Sequence, residues 1–327
     1  MFKNQKQLLI VMQDNPDPDS MASALALRLL AHRIANLACS ITHGGTIGRA
    51  ENRALAHYLK LDFRPIDQLD FSRFDLIALV DTQPGTGNNS LPPEITADIV
   101  IDHHPRRRAA GRSKLIDIRR KYGATTTILW EYLRHLNITP DNHLATAMIY
   151  GIRSDTHDLG MEASSADIQA IQYLYPLANL RMLSEIQRGR VQREYYQILA
   201  HGLSHARIYG PVIITGLGDI QNPDMIGEVA DLLLRDDEVQ WSLCYGFFRQ
   251  KMLLSIRSTH ADLKADKVMQ ILVSRRGTGG GHDTLAGGQI PVVKKTKSER
   301  TRLEKIIQHK LLHTLGIENN PGEKLVP

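Results

Sequence analysis

The stretch Asp98-Ile99-Val100-Ile101-Asp102-His103-His104-Pro105 decides the fold predicted for this chain. Its three consecutive β-branched residues are typical of a strand buried on both faces, and Pro105 prevents that strand from continuing in the centre of a sheet. A carboxylate and two imidazoles therefore stand where the strand ends. Ligands of open α/β sheets bind beyond the carboxyl ends of the strands. The stretch thus predicts a parallel sheet with a polar site at its edge.

The size and composition of the chain indicate a folded protein of two domains. Its 327 residues exceed the usual single-domain size, and 23% are charged and 42% hydrophobic. The longest apolar helix candidate, Ala22–Ala38, is interrupted by arginines, and the apolar run near the N-terminus is too short for a secretory signal. Cys39 and Cys244 are isolated, which fits a reducing cytoplasm and excludes a thiolate zinc cluster. We therefore expect a cytoplasmic protein without membrane contact, and the net charge of +5 mildly favours an anionic partner.

Strand-like and helix-like runs alternate along the first half of the chain. Gln7–Met12 is predicted to be a buried strand, and Ser20 can cap a helix that runs to about Leu37. Further strands are predicted around Ala38–Thr42 and over Asp75–Val80. This alternation predicts an α/β fold with a doubly wound, mostly parallel sheet over residues 1–185.

A smaller α/β domain is predicted over residues 207–317, after a helical linker over residues 186–206. Strands are predicted over Pro211–Thr215 and Val239–Phe248, and a basic helix runs from about Ser298 to Leu315. Residues 318–327 contain little that could pack, so we expect them to form a frayed tail.

Metal-competent side chains follow four of the predicted elements, and we expect each group at a strand exit. A single aspartate is more often a turn or cap residue, but so many carboxylates at one sheet edge would repel each other unless cations compensate them. Oxygen-rich ligands with one or two imidazoles suit manganese or magnesium better than a structural zinc. Two ions sharing a bridging aspartate would lie about 3.5–4 Å apart. The groups are Asp17 with Asp19, Asp81, Asp102-His103-His104, and Asp155.

Five motifs in this order resemble those of the DHH phosphoesterase superfamily. The resemblance covers nearly the whole chain and is greatest to the bifunctional oligoribonucleases (nanoRNases) and 3′-phosphoadenosine-5′-phosphate phosphatases. The motifs are Asn15-Pro16-Asp17-x-Asp19, the strand end at Asp81, the triplet Asp102-His103-His104, Gly-x-x-x-Asp155 and, as in the DHH-associated domain, Gly279-Gly280-Gly281-His282-x-x-x-Ala286-Gly287.

The resemblance implies a two-metal site in which an activated water attacks phosphorus. The ions would be Mn²⁺, with Mg²⁺ or Co²⁺ as alternatives. One ion would be held by Asp17 and Asp81, and the other by Asp19, Asp81, His103 and Asp155. The catalytic residues would be Asp81, His104 near the scissile phosphate, and Asp102, which would orient a neighbouring histidine or the metal-bound water.

Gln13 departs from the family pattern, in which the first motif opens with a histidine ligand. An amide oxygen is a weaker, neutral ligand, so the first ion is expected to bind loosely or to be a harder ion. The neighbouring Asp14 would face away because side chains alternate along a strand. Gln13 therefore stands as a candidate metal ligand in an enzyme with a weakened first site.

A glycine-rich run follows the predicted helix of the second domain. Six of the twelve residues from Gly277 to Gly288 are glycine, which lets backbone N–H groups approach a phosphate or sugar, although a flexible linker has the same composition. The resemblance implies that this domain grips the nucleotide and closes over the metal centre. Substrate-binding residues would be Arg257, Ser258, Gly279, Gly280, Gly281, His282 and Gly287.

The predicted partners are short RNA or nucleotide substrates. Four arginines after the DHH triplet could steer anions or simply form a solvated face. Aromatic residues are only 6%, and no stretch interleaves them with basic ones, which argues against a long single-strand groove.

The favoured hypothesis is a manganese-dependent phosphoesterase that acts on short oligoribonucleotides, dinucleotides or 3′-phosphoadenosine 5′-phosphate, as an exoribonuclease, a 3′-nucleotidase or both. The alternatives are an inorganic pyrophosphatase and a non-catalytic nucleotide sensor. The sequence leaves open the physiological nucleotide, the direction of cleavage and whether the chain forms a homodimer.

Overall fold

The computed structural model describes residues 5–61, 63–161, 163–259, 263–281, 283–292, 296–317 and 321–326. The chain divides into two compact units, Met1–Arg190 and Val191–Pro327. Among the helices of the described ranges, none is both long and apolar enough to cross a membrane. The predicted α/β fold with a second, smaller domain is confirmed.

The first unit is built on a six-stranded parallel sheet in the order β3-β2-β1-β4-β5-β6. Its strands are β1 (Gln7–Val11), β2 (Ala38–His43), β3 (Arg64–Pro65), β4 (Leu76–Val80), β5 (Ile99–Asp102) and β6 (Leu115–Ile118). Its helices are α1 (Pro18–Ala35), α2 (Ala50–Tyr58), α3 (Thr125–His135), α4 (Asn142–Asp155), α5 (Ser165–Leu174) and α6 (Leu180–Gln187). β3 and β6 are short strands that the sequence analysis did not predict.

Alternation along β1 divides the core between the two faces of the sheet. Leu8 and Ile10 pack with the buried side chains of the helices. Leu9 and Val11 point to the other face, where Ile66 and the partly buried Phe71 cover them. Every residue of β4 and β5 is buried, as expected for central strands of a parallel sheet.

The strand order reverses between β1 and β4, and this reversal determines where the site forms. From β1 the chain moves outward to β2 and β3, then returns to pair β4 with β1 and continues to β5 and β6 on the opposite side. The connections after β1 and β4 therefore leave the sheet in opposite directions. Such a switch point opens a crevice at the carboxyl ends of the two strands, where open α/β sheets bind ligands.

The second unit contains a seven-stranded sheet in the order β11-β12-β10-β9-β8-β7-β13. Only β8 and β9 pair in parallel; the other strand pairs of the described sheet are antiparallel. Its strands are β7 (Arg207–Tyr209), β8 (Val212–Asp219), β9 (Trp241–Phe248), β10 (Lys251–Ser258), β11 (Thr278–Gly281), β12 (Leu285–Pro291) and β13 (Glu323–Lys324). Its helices are α7 (Arg193–His205), α8 (Met225–Leu233), α9 (Ala265–Val273) and α10 (Lys297–Thr314).

The structure corrects two expectations about the domain boundaries. Residues 186–206 do not form one linker helix, because α7 belongs to the second unit and the compact units divide after Arg190. Apolar side chains of α7 pack with Ile213 and Leu217, and Thr215 Oγ1 donates a hydrogen bond to the carbonyl of Gly202.

The second correction concerns the predicted frayed tail. Glu323–Lys324 pairs with β7, because β7 would otherwise leave its outer backbone groups without partners at the edge of the sheet. Residues 318–320 and 327 of the predicted tail lie outside the described residues.

Candidate metal centre

Carboxylates from α1, from the end of β4 and from α4 converge with the histidine that follows β5 at the switch point. Asp81 comes directly after β4, is fully buried and has a backbone φ of 57°. Aspartate tolerates this left-handed conformation better than most residues, and such strained positions are often found at functional sites. The conformation turns the chain sharply, and Oδ1 of Asp81 accepts a hydrogen bond of 3.0 Å from the Thr125 hydroxyl.

Asp19 acts as the N-terminal cap of a helix other than its own. Ala124 stands at the N-cap of α3 and has no side-chain oxygen for the first backbone N–H groups. The buried carboxylate of Asp19 accepts these bonds instead, from Thr125 N at 2.7 Å and Thr126 N at 2.8 Å. The partial positive charge of the helix N-terminus also favours a negative group here. α3 therefore fixes the position of Asp19.

Gly151 permits the close packing of α1 and α4. A Cβ atom at this position would lie 3.1 Å from Asp19 Cα and 3.1 Å from the carbonyl oxygen of Pro18. One helical turn later α4 reaches Asp155, its last residue. The prediction that Asp155 follows a strand is thus wrong, because Asp155 ends a helix. α4 continues past Gly151, since glycine has no side chain and lets α1 and α4 pack closely.

His103 presents one ring nitrogen to the carboxylates. Its Nδ1 lies 3.2 Å from the Tyr122 carbonyl oxygen, which can only accept a hydrogen bond, so Nδ1 carries a proton. Nε2 lies 3.4 Å from Asp155 Oδ2 and 3.7 Å from Asp81 Oδ1. This buried nitrogen makes no hydrogen bond within the described residues. A histidine that binds a metal usually donates its other ring N–H to a carbonyl or carboxylate, as Nδ1 of His103 does here.

The ligand set predicted for the second ion is brought together by the fold. Each of its four residues offers one ligand atom, and these atoms all lie within 4.8 Å of one another. Three carboxylates and one imidazole suit a hard or borderline divalent cation. The residues therefore fit one such cation, and the buried Nε2 of His103 would gain the partner that it lacks. The set is Asp19, Asp81, His103 and Asp155.

The pKa shifts of the clustered side chains also fit a bound cation. Burial, followed by the charges of Asp19, Asp17 and Asp155, raises the pKa of Asp81 well above its ordinary value. Burial is also the largest cause that raises the pKa of Asp155 to about 7. Burial alone would lower the pKa of His103, but Asp155 and other nearby carboxylates raise it to about 10. A bound cation would relieve the repulsion among these carboxylates.

Asp102 contacts His104 rather than the four-residue set. Its buried carboxylate accepts hydrogen bonds from His104 Nδ1 at 2.8 Å and from Gln83 Nε2 at 2.6 Å. His104 Nδ1 also lies 3.7 Å from Asp81 Oδ1. Although burial would raise the pKa of Asp102, the hydrogen bonds from His104 and Gln83 hold it below its ordinary value. Asp102 is thus an ionised acceptor that fixes the ring of His104.

The ligands predicted for the first ion are arranged differently. Asp17 caps α1 by accepting from Ser20 N at 2.9 Å, and it stands outside the four-residue set. The Gln13 amide nitrogen donates to Asp17 and, at 3.3 Å, to Asp81 Oδ2. Asp14 turns away, as predicted, and accepts from Gly44 N at 3.0 Å and Ser90 Oγ at 2.8 Å.

The predicted substrate-binding residues lie in the second unit. Arg257 forms an ion pair with Asp231, and its Nη1 atom donates to Ser255 Oγ at 2.7 Å. Ser258 is buried at the end of β10. Gly279, Gly280 and Gly281 lie in β11, Gly287 lies in β12, and His282 is outside the described residues.

The glycine-rich run is a β-hairpin, not a flexible linker. β11 pairs with β12 from Thr278 to Gly281. A Cβ atom at Gly279 would lie 2.8 Å from Met269 Cγ of α9, so part of the glycine content serves packing.

Sequence reasoning missed three positions that shape the centre, namely Gln83, Thr125 and Asn88. For Thr125 the signal was Ala124 at the predicted start of α3. Alanine cannot accept hydrogen bonds from the first backbone N–H groups of a helix, so an acceptor from elsewhere in the chain would be needed there. For Gln83 and Asn88 no local signal exists, because their partners come from other loops.

Comparison with known proteins finds matches to two family domains in this chain. Residues 7–152 match the DHH family, N-terminal domain, and residues 210–309 match the DHHA1 domain. An uncharacterized protein of Methanocaldococcus jannaschii is 32% identical over 318 residues, which are 95% of this chain; the match spans only 64% of that protein's length.

Two solved structures share the fold. An exopolyphosphatase-related protein from Bacteroides fragilis aligns with a TM-score of 0.74 at 14% identity, over 96% of this chain and 95% of the other. RecJ in complex with Mn²⁺ from Thermus thermophilus aligns with a TM-score of 0.54 at 15% identity, over 94% of this chain and 53% of RecJ.

Proposed function

Because this chain belongs to the DHH family and joins a DHH N-terminal domain to a DHHA1 domain, we propose that it is a divalent-cation-dependent phosphoesterase acting on short oligoribonucleotides, dinucleotides or 3′-phosphoadenosine 5′-phosphate. One observation carries the proposal: four ligand atoms, from Asp19, Asp81, His103 and Asp155, lie within 4.8 Å of one another at the switch point of the sheet. A cation there would sit where open α/β sheets bind their substrates.

Mn²⁺ is the proposed cation. The donor set is mostly carboxylate with one imidazole, which suits Mn²⁺ or Mg²⁺. RecJ of Thermus thermophilus, which shares the fold, is described in complex with Mn²⁺. When bound, such a cation lowers the pKa of a coordinated water and offsets negative charge on phosphoryl oxygens.

The chain's own residues supply orientation and proton transfer. Asp102 accepts from His104 Nδ1, which leaves Nε2 as the ring atom through which His104 would contact a phosphate oxygen or protonate a leaving oxygen. Gln83 donates to the other carboxylate oxygen of Asp102. We assign His104 as the general acid and Asp102 as the residue that orients it.

Substrate attraction is assigned to the basic segment after the DHH triplet. Arg106, Arg107, Arg108 and Arg112 are exposed. The backbone N–H of Arg107 donates to Gln83 Oε1 at 2.7 Å, which anchors this segment to the buried site. Exposed cations at this place would raise the local concentration of phosphate substrates. Arg257, Ser258 and the glycine hairpin are assigned to substrate binding from the sequence resemblance.

A substrate panel tests the proposal. Purified protein with Mn²⁺ would be offered a ribodinucleotide, 3′-phosphoadenosine 5′-phosphate, a cyclic dinucleotide and pyrophosphate. We expect hydrolysis of one of the first two, loss of that activity in Asp81→Ala, and retention in Asp237→Ala, which removes an exposed carboxylate of the second unit.

Other results of the substrate panel would support the alternative functions, a pyrophosphatase or a nucleotide sensor. Cleavage of pyrophosphate alone would indicate a pyrophosphatase. Tight nucleotide binding without any hydrolysis would indicate a sensor. Either result overturns the proposal.

A further inference from the structure

The side-chain amide of Gln13 lies where the family resemblance places the first of two cations. That cation would be held by Asp17 and Asp81. In the structure Gln13 Nε2 donates one hydrogen bond to Asp17 Oδ2 and another, of 3.3 Å, to Asp81 Oδ2. An amide nitrogen carries two N–H donors and no acceptor, so Gln13 presents hydrogen atoms, and no ligand atom, to both carboxylates.

A chain of hydrogen bonds through the 82–89 loop contacts the other end of the Gln13 amide. It begins at the backbone carbonyl of Gln83, which can only accept, and which binds Asn89 Nδ2 at 3.0 Å. The same nitrogen donates to Thr82 Oγ1 at 2.9 Å, and Thr82 Oγ1 donates to Asn88 Oδ1 at 2.6 Å. The structure thus has the oxygen end of the Asn88 amide turned toward Thr82.

The nitrogen end of Asn88 consequently faces Gln13. Asn88 Nδ2 lies 3.4 Å from Gln13 Oε1 and donates to it. The backbone N–H of Asp14 also donates to the carbonyl of Asn88 at 2.6 Å, which holds the two loops together. For Gln13 to offer its oxygen to a cation, its amide would have to turn over and place nitrogen against nitrogen at Asn88. The 82–89 loop thus opposes the orientation in which Gln13 could be a metal ligand.

We propose that this chain has a one-cation centre in which the Gln13 amide, oriented by Asn88, takes the place of the first cation. Asp17 then serves as the cap of α1 and as a hydrogen-bond acceptor. The single cation belongs to Asp19, Asp81, His103 and Asp155, whose ligand atoms are assembled without Gln13. The inference rests on the proposed function only in that this four-residue set binds a divalent cation.

Metal stoichiometry tests the inference directly. Titration of the metal-free protein with Mn²⁺, followed by calorimetry and electron paramagnetic resonance, is expected to give one ion per chain with the spectrum of an isolated Mn²⁺. Two ions of similar affinity, with the spectrum of an exchange-coupled pair, would overturn the inference and leave the proposed function standing. Binding of no ion would overturn both.

Two substitutions test the role of the amide. Gln13→His replaces the donor with a ligand and is expected to bind a second Mn²⁺. Asn88→Asp keeps Gln13 but places an acceptor opposite its oxygen, so the amide should turn over, present Oε1 to Asp17 and Asp81, and also recruit a second ion. Asn142→Asp is the control: it adds the same charge at the exposed start of α4, about 20 Å along the helix from Asp155, and should still bind one ion.

The two variants keep the inference falsifiable even if one of them folds poorly. A folded Gln13→His or Asn88→Asp protein that binds only one Mn²⁺ would contradict the assignment of Gln13 as the group that excludes the second ion. A second ion in Asn142→Asp would attribute the gain to charge alone and would contradict it as well.

Discussion

The carboxamide of Gln83 donates a hydrogen bond of 2.6 Å from Nε2 to Oδ2 of Asp102, and both side chains are completely buried. Its Oε1 accepts from the backbone N–H of Arg107 at 2.7 Å. The side chain of Gln83, in the loop after β4, thus makes two contacts. It donates to the carboxylate that orients His104, and it accepts from the start of the basic segment.

Substitution of Gln83 by leucine should reduce both stability and turnover. A buried acceptor left without its donor costs about 1–3 kcal/mol, so the free energy of unfolding should fall by that amount. The rate should fall because the Asp102 carboxylate, and with it His104, loses one fixed contact. Denaturant unfolding and kcat measure the two effects.

The matched control for this prediction is Gln240→Leu, at an exposed position. It should change the free energy of unfolding by no more than about 0.5 kcal/mol. Equal effects of the two substitutions on kcat would contradict the positioning role of Gln83.

Cation binding should release protons, and its affinity should rise with pH. In the metal-free protein the pKa of His103 is about 10 and that of Asp155 about 7, so near neutral pH the imidazole is protonated and the carboxyl group is partly protonated. A cation needs both groups without their protons, and raising the pH therefore favours the bound form. Calorimetric titration with Mn²⁺ between about pH 6 and pH 8, in buffers with different ionisation enthalpies, counts the released protons.

His103→Asn provides the comparison for the proton count. It removes the group with the higher pKa, so fewer protons should leave on binding, and the affinity should be lower at every pH. Identical proton release by the variant and the wild type would show that His103 does not bind the cation.

Gly151→Ala should destabilise the protein and weaken cation binding. Alanine favours a helix by about 1 kcal/mol over glycine, but the added Cβ would lie 3.1 Å from backbone atoms of α1 that cannot move independently. Overpacking of this kind costs about 1–3 kcal/mol, so the clash should outweigh the gain. The displaced α1 carries Asp19 away from Asp155. Denaturant unfolding and Mn²⁺ titration measure both consequences.

Gly111→Ala is the control, because a Cβ at Gly111 would meet no atom within 4 Å. It should leave cation affinity unchanged. A Gly151→Ala protein that is more stable than the wild type, with unaltered Mn²⁺ affinity, would mean that α1 and α4 can separate without cost to the site.

Arg257→Ala should raise KM more than it lowers kcat. A hydrogen bond to a charged group contributes about 1.5–3 kcal/mol, so loss of a phosphate contact should raise KM by roughly 10- to 100-fold. Because Arg257 also pairs with Asp231, circular dichroism should first establish that the variant is folded. Steady-state kinetics with the nucleotide hydrolysed in the substrate panel measure the effect.

Arg249→Ala serves as the control for the loss of positive charge. Arg249 follows β9 in the hairpin turn and stacks on the ring of Phe248 at 5.1 Å, away from the β10 position of Arg257. If both variants raise KM equally, Arg257 contributes general charge and makes no specific contact with the substrate.

Local sequence signals predicted the central strands of the first sheet and the residues that meet at its edge. The β-branched and apolar runs of β1, β4 and β5 are typical of buried strands, and parallel strands place their carboxyl ends at the same edge of the sheet. Asp19, Asp81 and His103 could therefore be assigned to one site before any contact was known. Asp155 was assigned to the site as well, but to a strand exit and not to the end of α4. Gly151 was interpreted as the end of a helix, whereas it allows α1 to pack closely against α4.

The short edge strands and the domain boundary could not be predicted in the same way. β3 and β13 contain two residues each and form because β2 and β7 offer backbone groups for pairing. α7 has the pattern of any amphipathic helix, and only its packing against β8 assigns it to the second unit.

The sequence by itself determined which ligand types meet at the switch point and that Gln13 replaces the expected histidine. Only the tertiary structure decided what that glutamine does. Gln13 and Asn88 are 75 residues apart, and Asn88 in turn contacts Thr82, which contacts Asn89. An amide has a donor end and an acceptor end of nearly the same shape, so its role is set by the partners that the fold places around it.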